Sequence, residues 1–145
     1  IVGIDKSSHR LGKHVKTNQK NYMFLNTHCE AVWSELVAKK IHVDFHYILY
    51  PNPWPKAKHL MRRVHGHPAF YALTQLGGKI ELRSNWAYYV EEFGMAMTIA
   101  GAHGFISCAK DILPLSPFER KFRDSGHLLY IYKGKLPSNY ANTIL

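Results

Sequence analysis

Cysteine is scarce: the 145 residues hold two, Cys29 and Cys108, with neither metal-ligand spacing nor the density of a secreted disulfide scaffold. That excludes a small stapled fold, predicts no bridge and points to a reducing cytoplasm. Acid is scarce as well, since ten Asp and Glu stand against nineteen Lys and Arg for a net +9, and ten His add latent positive charge. An acidic binding protein is excluded, and an anionic partner such as RNA, DNA or a phosphorylated ligand is favoured. Apolar runs are broken by polar residues well before the roughly eighteen that a membrane span needs. There is no internal repeat, no low-complexity tract and no charged n-region of a signal peptide. What is present, 46% hydrophobic and 13% aromatic residues, is enough to build the core of one domain.

Strand and helix signals alternate along the chain. Ile1 to Ile4 reads as a strand ending at Asp5, with Ser7 and Ser8 as N-caps for a helix over His9 to Val15. Tyr22 to Leu25 repeats the strand, and Glu30 to Lys39 places Ala31, Val32, Leu36 and Val37 on one helical face. Val43 to Tyr50 is β-branched and aromatic and stops at Pro51. Lys56 to Gln75 reads as one or two helices interrupted near Gly66 and Pro68, closed by Gly77-Gly78. Lys79 to Arg83 is a fourth strand, Trp86 to Ala100 the longest helix, and Phe105 to Cys108 a fifth strand. A Pro-punctuated segment, Leu113 to Phe122, precedes a sixth strand at Leu128 to Tyr132 and a polar tail over 137–145. Alternation of this kind predicts an open α/β sheet with helices on both faces and ligands beyond the carboxyl ends of its strands.

Those strand ends carry the candidate chemistry. Asp5 either accepts the hydroxyls of a ribose or stabilises a helix N-terminus, and Glu30 has the same two readings. Tyr50-Pro51-Asn52-Pro53-Trp54-Pro55-Lys56 is more specific, because three prolines fix φ and present the Asn52 amide and the Trp54 ring at a strand end. Lys56, Lys58, His59, Arg62, Arg63, His65 and His67 follow as an electropositive run suited to phosphate, or as a solvated basic face. His65, His67, His42 and His46 lack the carboxylate or Cys that completes a recognisable ligand set, so no metal is expected. Ser84-Asn85-Trp86 either points into the cleft with Asn52 or caps a helix, and Ser116 to Lys121 either borders the pocket or forms a local charge cluster.

Taken together these residues resemble the tRNA (guanine-N7-)-methyltransferase family, S-adenosylmethionine-dependent Rossmann-like enzymes, over Ile1 to about Lys133. The family's Phe-Pro-Asp-Pro-Trp-Pro-Lys loop and basic helix resemble Tyr50 to Lys56 with Lys58 to Arg63. Its Thr-Asp-Trp resembles Ser84-Asn85-Trp86, and its Thr-x-Phe-Glu resembles Ser116 to Glu119. The resemblance implies a mostly parallel sheet with an antiparallel C-terminal strand, in one methyltransferase domain over 1–136. It implies S-adenosylmethionine bound by Asp5, Glu30 and Asn52, with Asn52 at the catalytic position. It also implies tRNA or another structured RNA held by Lys56, Lys58, His59, Arg62, Arg63, Asn85, Ser116, Phe118 and Glu119.

Three departures qualify the expectation. Asn52 and Asn85 stand where the family has Asp, and an amide offers one acceptor and one donor where a carboxylate offers paired acceptors for a guanine edge. Asn52-Pro53-Trp54 is also similar to the Asn-Pro-Pro-aromatic motif of amino-methyltransferases, one alternative; a non-catalytic RNA-binding relative is another. Finally, no Gly-rich cofactor loop is present, and in the family it follows a strand lying upstream of the segment that resembles Ile1 to Asp5. Because that strand lies between those ending at Asp5 and Asn52, its absence is expected to leave two central edges unpaired. The expectation is a longer natural chain, by about forty to sixty N-terminal residues.

Overall fold

The computed structural model describes residues 1–12, 21–109 and 113–137. Its strands are β1 (Val2–Ile4), β2 (Met23–Leu25), β3 (Phe45–Leu49), β4 (Lys79–Ser84), β5 (His103–Ala109) and β6 (Leu129–Lys135). Its α-helices are α1 (Ser8–Gly12), α2 (Cys29–Ala38), α3 (Phe70–Gln75), α4 (Ala87–Ile99) and α5 (Pro117–Asp124). The helix expected over 9–15 is seen as α1, the remainder lying outside the described residues, as does the tail beyond 137.

The six strands form two sheets rather than one. β1 and β2 pair in parallel, and the other four lie in the order β3-β4-β6-β5, with β3 parallel to β4 and β6 antiparallel to both its neighbours. Among the described residues β1 hydrogen-bonds only to β2, and β3 only to β4, so each keeps one open edge.

β4 shows why the larger sheet is two-faced. Side chains alternate along a strand, so Ile80 and Leu82 point to one face, while Glu81 and Arg83 point to the other. Leu82 lies opposite Tyr132 of β6, and Arg83 opposite Ile131. The apolar face is covered by α4, whose buried Tyr89, Val90, Phe93, Gly94 and Met97 fall at helical spacing. Gly94 lets the helix come close, because a Cβ there would stand 3.2 Å from Ile106 Cδ1 and 3.4 Å from Tyr132 Cδ2. Trp33 of α2 and Leu73 and Leu76 around α3 extend the same core. Gly77 and Gly78 turn the chain from α3 into β4 at φ 70° and 80°, a region only glycine enters without cost. The charged face is covered by α5, whose Glu119 reaches Arg83.

The basic run after Lys56 departs from the expected α-helix. Ala57–Arg62 and Val64–Gly66 are two 3-10 segments, separated at Arg63 and ended at His67, both with extended backbone at ψ 149° and 140°. His67 precedes Pro68, and the proline ring disfavours the α conformation in the residue before it. In a 3-10 helix residues three apart share a face, so His59 and Arg62 point the same way while Lys58 points elsewhere.

Phe93 is fully buried and Ile99, on the same helix, is 87% exposed. Phe93→Ala is expected to cost about 3 to 5 kcal/mol, and Ile99→Ala less than about 0.5 kcal/mol. Denaturant midpoints at unchanged m-value measure both.

Candidate active site

The parallel strands bring their carboxyl ends together. Asp5 follows β1 and Asn26 follows β2, and the Asn26 amide donates to the Asp5 carbonyl at 3.0 Å. Asp5 Oδ1 accepts from the Ser7 N–H and from Arg10 Nη2, each at 2.8 Å, and Oδ2 lies 2.8 Å from Arg10 Nε. The Arg10 guanidinium holds this carboxyl below its ordinary range, and one acceptor position on Oδ2 is left over. Among the described residues Glu30, in the first turn of α2, makes its contacts through Oε2, with Cys29 Sγ at 3.4 Å and His28 at 3.9 Å. Burial, with Glu30 beside it, pushes the Cys29 thiol up to about 12, so it is neutral and no nucleophile at pH 7.

Asp5, Glu30 and Asn52 line one cavity of about 1590 Å³, walled by β1, β2, α2 and β3, with Trp54, Met61, Arg62 and Phe118 at its border. It exceeds the roughly 300–1,000 Å³ of a usual small-molecule pocket because it runs through the division between the sheets. Of the residues expected to bind substrate, Arg62 and Phe118 line it, whereas Lys56, Lys58, His59, Arg63, Asn85, Ser116 and Glu119 do not.

The loop from Tyr50 to Lys56 leaves β3 under strain. Tyr50 and Trp54 adopt left-handed backbone at φ 53° and 45°, a conformation that costs a non-glycine residue about 1 to 2 kcal/mol. The Tyr50 N–H continues the ladder to the Arg83 carbonyl at 2.9 Å. Asn52, between two prolines, is exposed. Trp54 is packed by the shared face of the following 3-10 segment: the His59 ring lies 5.4 Å away edge-on, and the Arg62 guanidinium stands 4.9 Å from the indole centroid. Lys56 and Lys58 remain exposed.

Two residues expected at the substrate are engaged inside the protein. Arg63, its side chain 11% exposed, donates from Nε and Nη2 to the Trp54 carbonyl at 3.2 and 3.1 Å and pairs through Nη1 with Glu92 of α4. Glu119, 0% exposed, accepts from the Tyr50 hydroxyl at 2.9 Å, from Arg83 Nη1 at 2.7 Å and from the Leu115 N–H. Ser116 caps α5 by accepting from the Glu119 N–H at 3.2 Å, while the Glu119 carboxylate reaches past the N-cap to the Leu115 N–H. Asn85 is half-buried, and beside it Ser84 Oγ accepts from the Trp86 N–H at 3.1 Å. Sequence reasoning missed Arg83 and Glu92; the alternating charges of Lys79-Ile80-Glu81-Leu82-Arg83 were the available signal for Arg83. Among the described residues no group of three or more His, Cys, Asp or Glu could hold a metal ion.

Comparison with known proteins decides the family. Residues 1–127 match the family model Methyltransf_4, described as "Putative methyltransferase". The chain belongs to this methyltransferase family. The chain is 29% identical over 97 residues to a tRNA (guanine-N(7)-)-methyltransferase of Yersinia enterocolitica, covering 59% of this chain and 39% of the relative. It is 33% identical over 101 residues to the Pasteurella multocida enzyme of that name, with the same two coverages. The chain thus spans about two fifths of the length of the curated relatives it matches. "Structure of a putative methyltransferase from Thermoplasma acidophilum" matches at TM-score 0.56 and 13% identity, over 95% of this chain and 57% of that one, so the family member has a methyltransferase fold. No helix among its described residues is long and apolar enough to cross a membrane.

Burial pushes the Glu119 carboxyl up, but Arg83, the Leu115 N–H and Tyr50 together hold it below the ordinary value of 4.5. A depressed carboxyl stabilises the fold above the unfolded value and loses that contribution as pH falls through the folded one. Glu119→Gln is therefore expected to cost about 3 to 5 kcal/mol at pH 7, because it leaves Arg83 partly unpaired. The gap to the unsubstituted chain is expected to narrow below about pH 4.5, as followed by denaturation at stepped pH.

Proposed function

We propose that the protein is an S-adenosylmethionine-dependent RNA methyltransferase acting at guanine N7 of tRNA, in the cytoplasm. The observation that carries this reading is the single cavity shared by Asp5, Glu30 and Asn52 at the carboxyl ends of parallel strands, lined also by Arg62 of the basic run. The named relatives support the substrate. The donor set fits the cofactor: the open lone pair on Asp5 Oδ2 and the free Oε1 of Glu30 suit hydroxyl and amine donors.

When bound, the cofactor supplies an electrophilic methyl group on sulfur. Guanine N7 carries a lone pair and no proton, so the step needs no general base and depends on placing the base in line with that methyl group. Asn52 provides one acceptor and one donor for a base edge, fewer acceptors than a carboxylate. Lys56, Lys58 and Arg62 meet phosphates, which sets position and affinity rather than sequence. The open edges of β1 and β3 are proposed to receive one further parallel strand from a segment N-terminal to Ile1, which would narrow the cavity to one cofactor's width.

The test is methyl transfer from S-adenosylmethionine to unmodified tRNA by the protein carrying that strand, read by nucleoside mass spectrometry. 7-Methylguanosine is the expected product. Methylation at an exocyclic amine would replace this reading with the amino-methyltransferase one, and salt-sensitive RNA binding without transfer would replace it with a non-catalytic relative. Lys58→Ala is expected to weaken tRNA binding regardless of sequence and to reduce the slope of log affinity against log salt by about 1, measured by filter binding at several salt concentrations.

A further inference from the structure

The segment that presents Asn52 has almost no backbone support of its own. Pro51, Pro53 and Pro55 carry no N–H, and the ladder to β4 ends with the Tyr50 N–H on the Arg83 carbonyl. Yet the backbone is left-handed on both sides of Asn52, at Tyr50 and at Trp54, where a free loop would relax. Something outside the loop imposes that shape.

Two hydrogen-bonded networks do so, one at each end. On the Tyr50 side the hydroxyl donates to Glu119, whose carboxylate is fixed by Arg83 and the Leu115 N–H, and Arg83 in turn reaches Glu81 at 2.5 Å. The Tyr50 ring also packs on Phe122 of α5 at 5.6 Å. On the Trp54 side two guanidinium nitrogens of Arg63 hold the Trp54 carbonyl, and Glu92 of α4 anchors that guanidinium with His65 3.1 Å away on the same oxygen. Neither Arg63 nor Glu119 has a free, solvent-facing group with which to grip RNA.

We infer that Arg63, through the Trp54 carbonyl, and Tyr50, through Glu119, are positioning residues that preset the Asn52 loop, not residues that bind the nucleic acid. The inference rests on the reading of Asn52 as the group facing the reacting base. A loop held in its working shape before substrate arrives has little left to reorganise in the reacting complex. Loss of either hold is therefore expected to lower turnover while leaving RNA affinity alone, because the exposed cations Lys56 and Lys58 are untouched.

The test uses Tyr50→Phe, which removes one hydroxyl and keeps the ring, and Arg63→Lys, which keeps the charge but loses the two-nitrogen hold. Nitrogen–proton NMR of the protein follows the Asn52 side-chain amide and the indole N–H of Trp54, with that of Trp33 in the core as the internal control. The expected result is that the Asn52 and Trp54 signals shift or broaden in both variants while Trp33 is unchanged. In the methylating form kcat is expected to fall about tenfold, with KM for tRNA and its salt dependence within twofold of the unsubstituted protein. Unchanged Asn52 and Trp54 signals in Tyr50→Phe, which keeps the core intact, would overturn the inference. So would a tenfold loss of tRNA affinity with kcat unchanged. If the unsubstituted protein transfers no methyl group, the proposed function fails, and the NMR signals alone still decide whether the loop is held.

Discussion

Arg83 sits at the centre of the molecule's polar architecture. It lies on the face of β4 turned away from the core, with a side chain only 10% exposed, and its charge is matched by Glu81 at 2.5 Å and Glu119 at 2.7 Å. Burial works against its charge, but the two carboxylates more than restore it. A buried guanidinium of this kind adds little net stability compared with an apolar residue, yet leaving it half-paired is costly. Its consequence is therefore geometric. Because Glu119 must meet Arg83, α5 is fixed against the sheet; because Glu119 also accepts from Tyr50, the end of β3 and the loop beyond it are fixed as well.

The apolar layer and the polar layer thus divide the work. α4 against Ile80, Leu82 and Tyr132 supplies the burial that holds the larger sheet together. The opposite face, with few apolar contacts to offer, is held by charge and by the Ser116 cap of α5. β1 and β2 stand apart as a two-stranded parallel pair among the described residues, and the space between them and β3 becomes the cavity. Asp5 and Glu30 face that space from one side and Asn52 from the other.

Local pattern made much of this legible. The spacing of Tyr89, Val90, Phe93 and Met97 marks α4 to within a residue at each end, and the six strands fall where alternation and turn residues put them. The Pro-Asn-Pro loop was legible because proline fixes φ wherever it occurs. The failures have a common origin in interactions distant along the chain. Tyr50 and Glu119 are 69 residues apart, and Arg83 and Glu119 are 36 apart, so no window of sequence reveals that Glu119 turns inward. The basic run misled for a subtler reason: its composition suits a helix exposed to phosphate, but extended backbone at Arg63 and before Pro68 splits it into 3-10 segments. Arg63 then turns inward to the loop carbonyl, and His59 and Arg62 pack around Trp54. The division of the sheet into two agrees with the two unpaired edges expected from the family resemblance, and no local propensity signals it.

The cavity, with Asp5 and Glu30 on one wall and Asn52 on the other, is proposed to take S-adenosylmethionine. The most direct test of this claim is calorimetric titration of the cofactor into the protein carrying the strand proposed between β1 and β3, alongside its Glu30→Gln variant. The account predicts one-to-one binding that weakens about tenfold, or 1.4 kcal/mol, when the Glu30 carboxylate is replaced. Equal binding by both forms would contradict the placement of the cofactor, and binding by neither would contradict the claim itself.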